Sequence, residues 1–167
     1  AFSGAYARLR PSYSAALQQA AVGPVYPDAN STLRVTFGLV RGYEPRDAVW
    51  YEPLTTAEGV GEKHTGEDPF DAPDGVVSAI EEGQWGPYEH ARLGTLPVNF
   101  LSDLDTTGGN SGSVTLDAQG RLVGLLFDGN YEAMASDWLF DTRATRSIHV
   151  DARYMLWLLD RVYAATN

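Results

Sequence analysis

Ser111 is the residue of this chain whose type and surroundings best suit covalent chemistry. It lies in the segment 105–113, which reads Asp-Thr-Thr-Gly-Gly-Asn-Ser-Gly-Ser. The nearby glycines let the backbone adopt conformations closed to other residues, and they leave room for a substrate carbonyl to approach. A serine hydroxyl held in such a turn could act as a nucleophile in acyl transfer. A plain Gly/Ser hairpin loop is the alternative, and the residues that follow decide between the two.

Acyl transfer also requires hydrogen-bond donors where negative charge develops on the substrate oxygen. In serine peptidases of the two-barrel type, the amides of the nucleophile and of the residue two positions before it supply them. In this chain those donors would be the backbone N–H groups of Ser111 and Gly109. The sequence thus predicts a nucleophile and an oxyanion hole within one turn.

A serine nucleophile also needs a base, normally an imidazole oriented by a carboxylate. His64 lies in a polar, acidic loop and is interpreted as solvated, and His149 lies in an apolar strand and is interpreted as structural. His90 precedes the serine in another surface segment, with Asp103 and Asp105 as nearby candidates to orient it. None has the separation expected of a base on an opposite barrel, so we predict no complete triad in this chain.

Metal and cofactor chemistry receives little support from the sequence. The acidic segment 62–68 offers oxygen ligands and one imidazole, but without a recognised cation-loop spacing, so we interpret it as a solvated loop. The glycines before Ser111 lack the lysine and the spacing of a phosphate-binding loop. The sequence has no cysteine, which excludes disulfides and thiolate metal sites. We expect no metal and no cofactor.

The composition suits one globular domain. The chain has 167 residues, of which 44% are hydrophobic, enough for a core. It carries 22 acidic against 12 basic residues, a formal net charge of −10, so nucleic acid and anionic membranes are not expected partners. There is no apolar run of membrane-spanning length and no leader pattern at the N-terminus, which predicts a cytosolic protein or a processed or excised piece of an exported one.

Periodicity predicts a mainly β chain with helices near its two ends. Residues 32–40 alternate apolar and polar side chains, which is typical of a half-buried strand, and 121–127 is almost continuously apolar, which predicts burial on both faces. The six predicted strands are 32–40, 48–54, 97–101, 113–116, 121–127 and 146–150. A short helix is predicted at 76–82 within a surface excursion over 58–93.

The two end segments have helical patterns. Residues 12–21 are rich in alanine, with Pro11 before them and Gly-Pro after them. Residues 151–165 begin with an acidic cap and repeat apolar residues at helical spacing. The predicted apolar face of this last helix consists of Met155, Leu158, Leu159 and Val162.

Three sequence blocks resemble the C-terminal catalytic part of the bacterial dipeptidyl-peptidase 7 and 11 family of serine exopeptidases. The resemblance extends upstream through the segment 26–34, which reads Tyr-Pro-Asp-Ala-Asn-Ser-Thr-Leu-Arg, and it covers nearly the whole chain but only part of such an enzyme. The blocks are the serine turn at 105–113, the segment 120–134 that contains Phe-Asp-Gly-Asn, and 146–156, which begins Arg-Ser-Ile-His-Val.

The resemblance implies a fold of chymotrypsin type. The six strands and closing helix would form the second antiparallel barrel of a two-barrel peptidase over residues 25–167, and residues 1–24 would end a helical cap region. The catalytic histidine and aspartate would come from the absent N-terminal half of the same enzyme, which is the expected partner. The family usually has proline after Gly-Asn-Ser-Gly-Ser, where this chain has Val114. We expect this difference to change the start of the strand 113–116 more than the chemistry of the serine.

The resemblance also implies a periplasmic or surface enzyme that removes dipeptides from free peptide N-termini, with Ser111 as nucleophile. Asp128 would hold the substrate's α-ammonium group, since a carboxylate attracts an ammonium strongly in a water-poor cleft. Gly129 would lie in the pocket for the second substrate residue, where glycine implies an apolar preference. A turn role is the alternative for both residues.

Two other functions stay open at this stage. One is a non-catalytic module that binds peptide ends or scaffolds a partner, and the other is a serine endopeptidase of the same barrel type. The oligomeric state is not fixed by the sequence, and a homodimer stays open.

Overall fold

The computed structural model describes residues 2–22, 33–136 and 139–165. The chain divides into two compact units, Ala1–Val35 and Thr36–Asn167. The boundary predicted between residues 24 and 25 falls in the segment 23–32, outside the described residues. The domain roles predicted for the two parts therefore stay predictions.

The described residues of the first unit include one helix, α1 (Phe2–Ala20). The prediction of a helix starting after Pro11 is wrong at its N-terminal end, because Pro11 lies inside α1. Proline removes one intrahelical hydrogen bond. The residues on both sides of it, Ala5–Arg10 and Ala15–Gln19, are largely good helix formers, and they allow the helix to continue.

The second unit is mainly β, with antiparallel strands and short helices. In chain order its elements are β1 (Tyr43–Arg46), β2 (Val49–Tyr51), β3 (Leu54–Thr56), α2 (Ala57–Lys63), α3 (Asp74–Glu82), β4 (Pro97–Ser102), β5 (Val114–Leu116), β6 (Leu122–Gly129), β7 (Ser147–Asp151) and α4 (Ala152–Trp157). A 3₁₀ helix, Tyr131–Ala135, follows β6, and a π-helical turn, Leu158–Val162, follows α4.

The strands form an open sheet and a separate hairpin. The five-stranded antiparallel sheet has the order β3-β4-β7-β6-β5, and β1 pairs with β2 alone. Within the described residues the edge strands β3 and β5 do not pair, so the expected closed six-stranded barrel is not found. The prediction of an antiparallel, mainly β class is confirmed. The prediction of a closed barrel is wrong for the described residues, which form an open sheet.

The alternating segment predicted as a first strand differs most from expectation. Residues 33–39 form no strand, and only Val40 makes an isolated antiparallel bridge, to Ser102. Leu33 and Phe37 are more than nine-tenths exposed. Alternation satisfies the side-chain requirement of a strand, but a strand also needs a hydrogen-bonding neighbour along its length. The described part of the chain supplies that neighbour only at the end of this segment.

The other predicted elements are largely confirmed. β4, β5, β6, β7 and α3 match their predicted segments to within two residues at each end. The predicted strand 48–54 is divided into β2 and β3, because Pro53 lacks an amide to donate between them. Full burial of β6 is wrong, because Leu122 and Phe127 are about half exposed while Gly124 and Leu126 are buried.

The core lies between the sheet and the helices α2, α3 and α4. Its buried members are Ala57, Val76, Ile80, Trp85, Leu96, Val98 and Trp157. Asp151 caps α4 by accepting a hydrogen bond from the Arg153 amide at 2.9 Å, which confirms the acidic cap. Trp157 is the residue of α4 that fills the core, whereas Leu159 of the predicted apolar face is half exposed, because the turn after α4 is π-helical and shifts the helical phase.

Membrane-spanning character can be assessed for the described helices. Among them, none combines the length and the apolar composition that crossing a bilayer would require.

Candidate functional site

The serine segment connects β4 to β5 through two consecutive turns. The first is closed by Asn110, whose amide donates to the Thr107 carbonyl at 3.2 Å and whose side-chain oxygen accepts from the Thr107 amide at 2.9 Å. Gly109 has φ of +98°, a conformation that side chains disfavour. These contacts give a local structural reason for the Gly-Asn pair before Ser111.

The second turn attaches Ser111 to strand β6. Gly112 has φ of +86° and donates its amide to the Leu126 carbonyl at 2.7 Å. Leu126 donates back to the Ser113 carbonyl at 2.9 Å. Two backbone hydrogen bonds thus fix the chain just after Ser111 against strand β6, which restricts the conformational freedom of the serine.

The Ser111 side chain faces outward from this support. Its hydroxyl makes one long contact, donating to the Phe127 carbonyl at 3.5 Å, and the residue is exposed. A hydrogen bond of that length is weak, so little energy is lost if the hydroxyl turns to another partner. The backbone amides of Gly109 and Ser111 donate to no acceptor within the described residues.

A groove of about 270 Å³ brings Ser111 together with the other predicted site residues Asp128 and Gly129. Gly109 does not line it. Its walls come from the serine segment, from the end of β6 and from the 3₁₀ helix after it. The lining residues are Thr106, Thr107, Gly108, Ser111, Leu126, Phe127, Asp128, Gly129, Asn130, Ala133, Met134 and Ser136.

Asp128 and Gly129 follow an irregularity in β6. Leu126 pairs with His149 and Asp128 with the next residue of β7, Ile148, so Phe127 has no partner between them. Such a bulge bends a strand and changes the direction of its side chains. Asp128 is exposed, and its Oδ1 accepts the Gly129 amide at 2.8 Å, which leaves Oδ2 without a partner among the described residues.

Asn130 fixes the segment that follows and was missed by the sequence analysis. It is 8% exposed, and its Oδ1 accepts from the amides of Ala133 and Arg146 at 3.1 and 2.9 Å. Its Nδ2 donates to the Ala144 carbonyl at 2.7 Å and to Glu132 at 2.9 Å. Asparagine directly before a helical turn was the available signal, since it is a preferred N-cap residue.

Arg146 supports the same region from behind. It is 3% exposed, and its guanidinium donates to the carbonyls of Gly42, Thr142, Arg143 and Thr145 at 2.6–3.2 Å. Its carbon Cζ lies 5.7 Å from the centre of the Tyr43 ring. Burial lowers its pKa from the usual value. Three of these acceptors lie within four residues before Arg146 and only Gly42 is distant; because all four are backbone carbonyls, no residue type in the sequence signals this role.

Tyr43 connects this support to the acidic Glu132. Its hydroxyl donates to the Glu132 carboxylate at 3.0 Å. Burial, together with that carboxylate, raises the pKa of Tyr43, so the phenol is protonated at neutral pH and remains a donor.

His149 is structural. It is fully buried, its Nε2 lies 2.7 Å from the Ser102 hydroxyl and its Nδ1 lies 2.8 Å from the Thr115 hydroxyl. The ring stacks on Phe100 at 4.6 Å between centroids. Burial lowers the pKa of His149 to about 4, so it is neutral at physiological pH. Both nitrogens are engaged away from Ser111.

The two other histidines also lie outside the groove. His90 accepts the Leu93 amide at Nδ1 at 3.3 Å, and His64 ends helix α2 with a buried Nδ1 that has no partner in the described structure. Neither contributes to the lining of the groove. Within the described ranges, no group of three or more His, Cys, Asp or Glu residues could hold a metal ion.

Comparison with known proteins identifies relatives over the full length of the chain. A family model described as Peptidase S46 matches residues 1–167. The Asp/Glu-specific dipeptidyl-peptidase of Shewanella putrefaciens is 43% identical, covering 98% of this chain and 26% of that protein. Dipeptidyl-peptidase 7 of Porphyromonas gingivalis is 42% identical over 89% of this chain and 21% of that protein.

Solved structures agree with the sequence relatives. A crystal structure of Porphyromonas endodontalis DPP11 in complex with the dipeptide Arg-Asp matches with a TM-score of 0.85 and 37% identity, covering 95% of this chain and 23% of that one. The chain thus spans about a quarter or less of the length of the relatives it matches.

The names of these relatives differ from the apolar preference expected from Gly129. The relative from Shewanella putrefaciens is called Asp/Glu-specific, and dipeptidyl-peptidase 7 carries no residue preference in its name. Relatives of both names match this chain at similar identity, and neither name supports the apolar preference.

Proposed function

The chain belongs to the peptidase S46 family, and from that premise we propose that the protein containing it is a serine-type dipeptidyl peptidase. The observation that carries the proposal is the groove that contains both the exposed Ser111 and the Asp128 carboxylate. Cleavage at a fixed distance from a free amine requires a nucleophile and an anionic group that binds the amine, and both must lie in one cleft.

In the proposed reaction the Ser111 hydroxyl attacks the carbonyl carbon of the second substrate residue. The serine proton passes to an imidazole base, and the carbonyl oxygen becomes an oxyanion held by the Gly109 and Ser111 amides. Collapse breaks the peptide bond, and the departing amine takes the proton. Water then hydrolyses the acyl-enzyme by the same route and releases the dipeptide.

The imidazole base and its carboxylate are proposed to come from the remaining polypeptide. His149 is engaged with Ser102 and Thr115, and neither His64 nor His90 lines the groove. The share of 26% or less covered in the relatives leaves ample chain for a second half of the site. That remaining part is therefore the proposed partner, and α1 is proposed to end a helical cap region.

Asp128 is proposed to bind the α-ammonium group of the substrate. Its Oδ1 is engaged by the Gly129 amide, and its exposed carboxylate can still accept from an ammonium within the groove. Charge-assisted hydrogen bonds of this kind are stronger than neutral ones. The periplasm or the cell surface remains the proposed location of the enzyme.

The second substrate residue would contact the groove near Gly129. Relatives named Asp/Glu-specific favour an acidic side chain there. The described lining of the groove contains no lysine or arginine, so a cation that pairs with such a side chain would come from another part of the enzyme. Matched peptides with Glu or Leu as second residue measure this preference directly.

The test of the proposed function is Ser111→Ala in the full-length enzyme. Loss of essentially all turnover is expected, because the covalent step has no other nucleophile, and Ser113→Ala is the matched control in the same segment. Retention of activity by Ser111→Ala contradicts the serine mechanism.

A second measurement compares free and N-acetylated peptides. A dipeptidyl peptidase cleaves only the free form, because acetylation removes the ammonium charge. Equal cleavage of both supports a serine endopeptidase, and binding of peptides without cleavage supports a non-catalytic module.

A further inference from the structure

Gly129 is held against Ala133 at the floor of the groove. A Cβ atom added to Gly129 would lie 2.9 Å from the Cβ of Ala133, whereas the next contact, to the Arg146 carbonyl, would be an ordinary 3.7 Å. Non-bonded carbon atoms prefer a separation of roughly 3.5–4.0 Å. Gly129 is not among the glycines with positive φ, so its backbone conformation would accept a side chain. The obstacle is the methyl group of Ala133.

Neither residue can easily move away from the other. Gly129 pairs with Ser147 in the β6–β7 ladder, and the next amide, of Asn130, donates to the Arg146 carbonyl at 2.9 Å. The Ala133 amide donates to Asn130 at both its carbonyl, at 2.9 Å, and its Oδ1, at 3.1 Å. Since Asn130 is itself buried, the collision would distort a fixed hydrogen-bond network.

We propose that Ala133 is a specificity-determining residue of the groove, because its methyl group excludes any side chain from position 129. The inference rests on the proposed function, in which the second substrate residue lies against this floor. Both residues line the same groove as Ser111. An arginine at 129 is therefore compatible with the fold only when residue 133 is glycine, and the pair sets whether the floor carries a charge.

The steric part is tested in the full-length enzyme by adding a Cβ atom at position 129 and removing the Cβ atom at position 133. Gly129→Ala alone is expected to lower Tm by roughly 2 °C or more, because it overpacks a fixed site. Adding Ala133→Gly is expected to remove that loss, so that the double variant has the Tm of Ala133→Gly alone. Ala135→Gly, an exposed alanine of the same 3₁₀ helix, is the control and is expected to give no rescue.

The functional part is tested with Gly129→Arg in the presence and absence of Ala133→Gly. The double variant is expected to raise the ratio of kcat/KM for a Glu second residue over a Leu second residue by about tenfold or more, through a charge-assisted contact. Gly129→Arg alone is expected to lose Tm and activity on both peptides. Gly129→Gln with Ala133→Gly is the neutral control and should leave the ratio unchanged.

Two results overturn the proposal. One is a Gly129→Ala variant with the wild-type Tm, or one that Ala135→Gly rescues as well as Ala133→Gly does. The other is a Gly129→Arg variant whose Tm and substrate ratio equal those of the double variant. The Tm cycle needs no peptidase activity, so a wild-type enzyme that cleaves no dipeptide refutes the proposed function while the steric coupling is still decided.

Discussion

At the scale of single residues, the groove places an anionic group beside a hydroxyl. Asp128 and Ser111 lie on different segments, and two backbone hydrogen bonds between Leu126 and the serine turn connect those segments. The bulge at Phe127 changes the direction of the chain just before Asp128. The relative position of the two groups is thus set by backbone contacts, which hold position better than flexible side chains do.

The charge of Asp128 can be removed without disturbing the local backbone. Asp128→Asn keeps an oxygen for the Gly129 amide, which now donates to Oδ1 at 2.8 Å. We expect kcat/KM for free-amine peptides to fall roughly 10- to 100-fold, because a hydrogen bond to a charged group is lost. Asp71→Asn, at an exposed position outside the groove, is the control. Unchanged kcat/KM in Asp128→Asn would exclude its role in binding the amine.

At the scale of secondary-structure elements, β6 carries part of the candidate site, and its neighbour β7 pairs with it in the sheet. The buried ring of His149 connects β4, through Ser102, to β5, through Thr115. Neutral imidazole suits this place, because either tautomer can exchange hydrogen bonds with two hydroxyls. A protonated ring would carry a buried charge with no carboxylate among its hydrogen-bonding partners.

This histidine predicts a loss of stability in acid. Its pKa is about 4 in the folded protein against 6.5 for an ordinary histidine, so the unfolded state binds a proton first as pH falls. The stabilisation is complete above pH 6.5 and is lost between about 6.5 and 4, amounting to about 3 kcal/mol in total.

His149→Gln is expected to flatten the fall of Tm between pH 7 and pH 5, because glutamine has no titrating group. Thermal unfolding at both pH values measures this, with His90→Gln as a control for removing an imidazole elsewhere. A variant whose Tm falls as steeply as that of the wild type would show that another group is responsible.

At the scale of the whole molecule, the second compact unit exposes several large apolar side chains. Phe37 is 92% exposed, and the sheet edge at β5 exposes Val114 and Leu116 by more than half. The relatives that the chain matches are about four times as long. The proposed catalytic base and the residues that would cover these apolar side chains are both assigned to that additional length.

The 167-residue chain alone is therefore expected to resist fluorophosphonate probes. Without a base, the Ser111 hydroxyl is a poor nucleophile at neutral pH. Labelling followed by mass spectrometry measures this, with the Ser111→Ala chain as the blank. Addition of the remaining polypeptide should restore labelling, whereas rapid stoichiometric labelling of the isolated chain would show that a local base exists.

Much of the site could be read from short segments. The glycines around Ser111 and the Asp128–Gly129 pair predict turns from a few residues alone, because turn conformation and capping depend on neighbours in sequence. Strands β4 to β7 could also be predicted, since side-chain alternation and apolar runs repeat locally. Asn130 also carries a capping signal in the sequence, but its contacts with Ala144 and Arg146 could not be predicted from it.

The sequence by itself determined the glycine-rich turn around Ser111 and the antiparallel β class, because both follow from residue types at short spacing. Only the tertiary structure decided that the sheet is open, that Trp157 rather than Leu159 fills the core, and that Ala133 meets position 129. The open sheet and the burial of Trp157 depend on which distant segments supply hydrogen-bond partners and occupy space. The contact of Ala133 with position 129 joins residues only four apart, but it depends on how the chain turns after β6, which the periodicity of side chains does not describe.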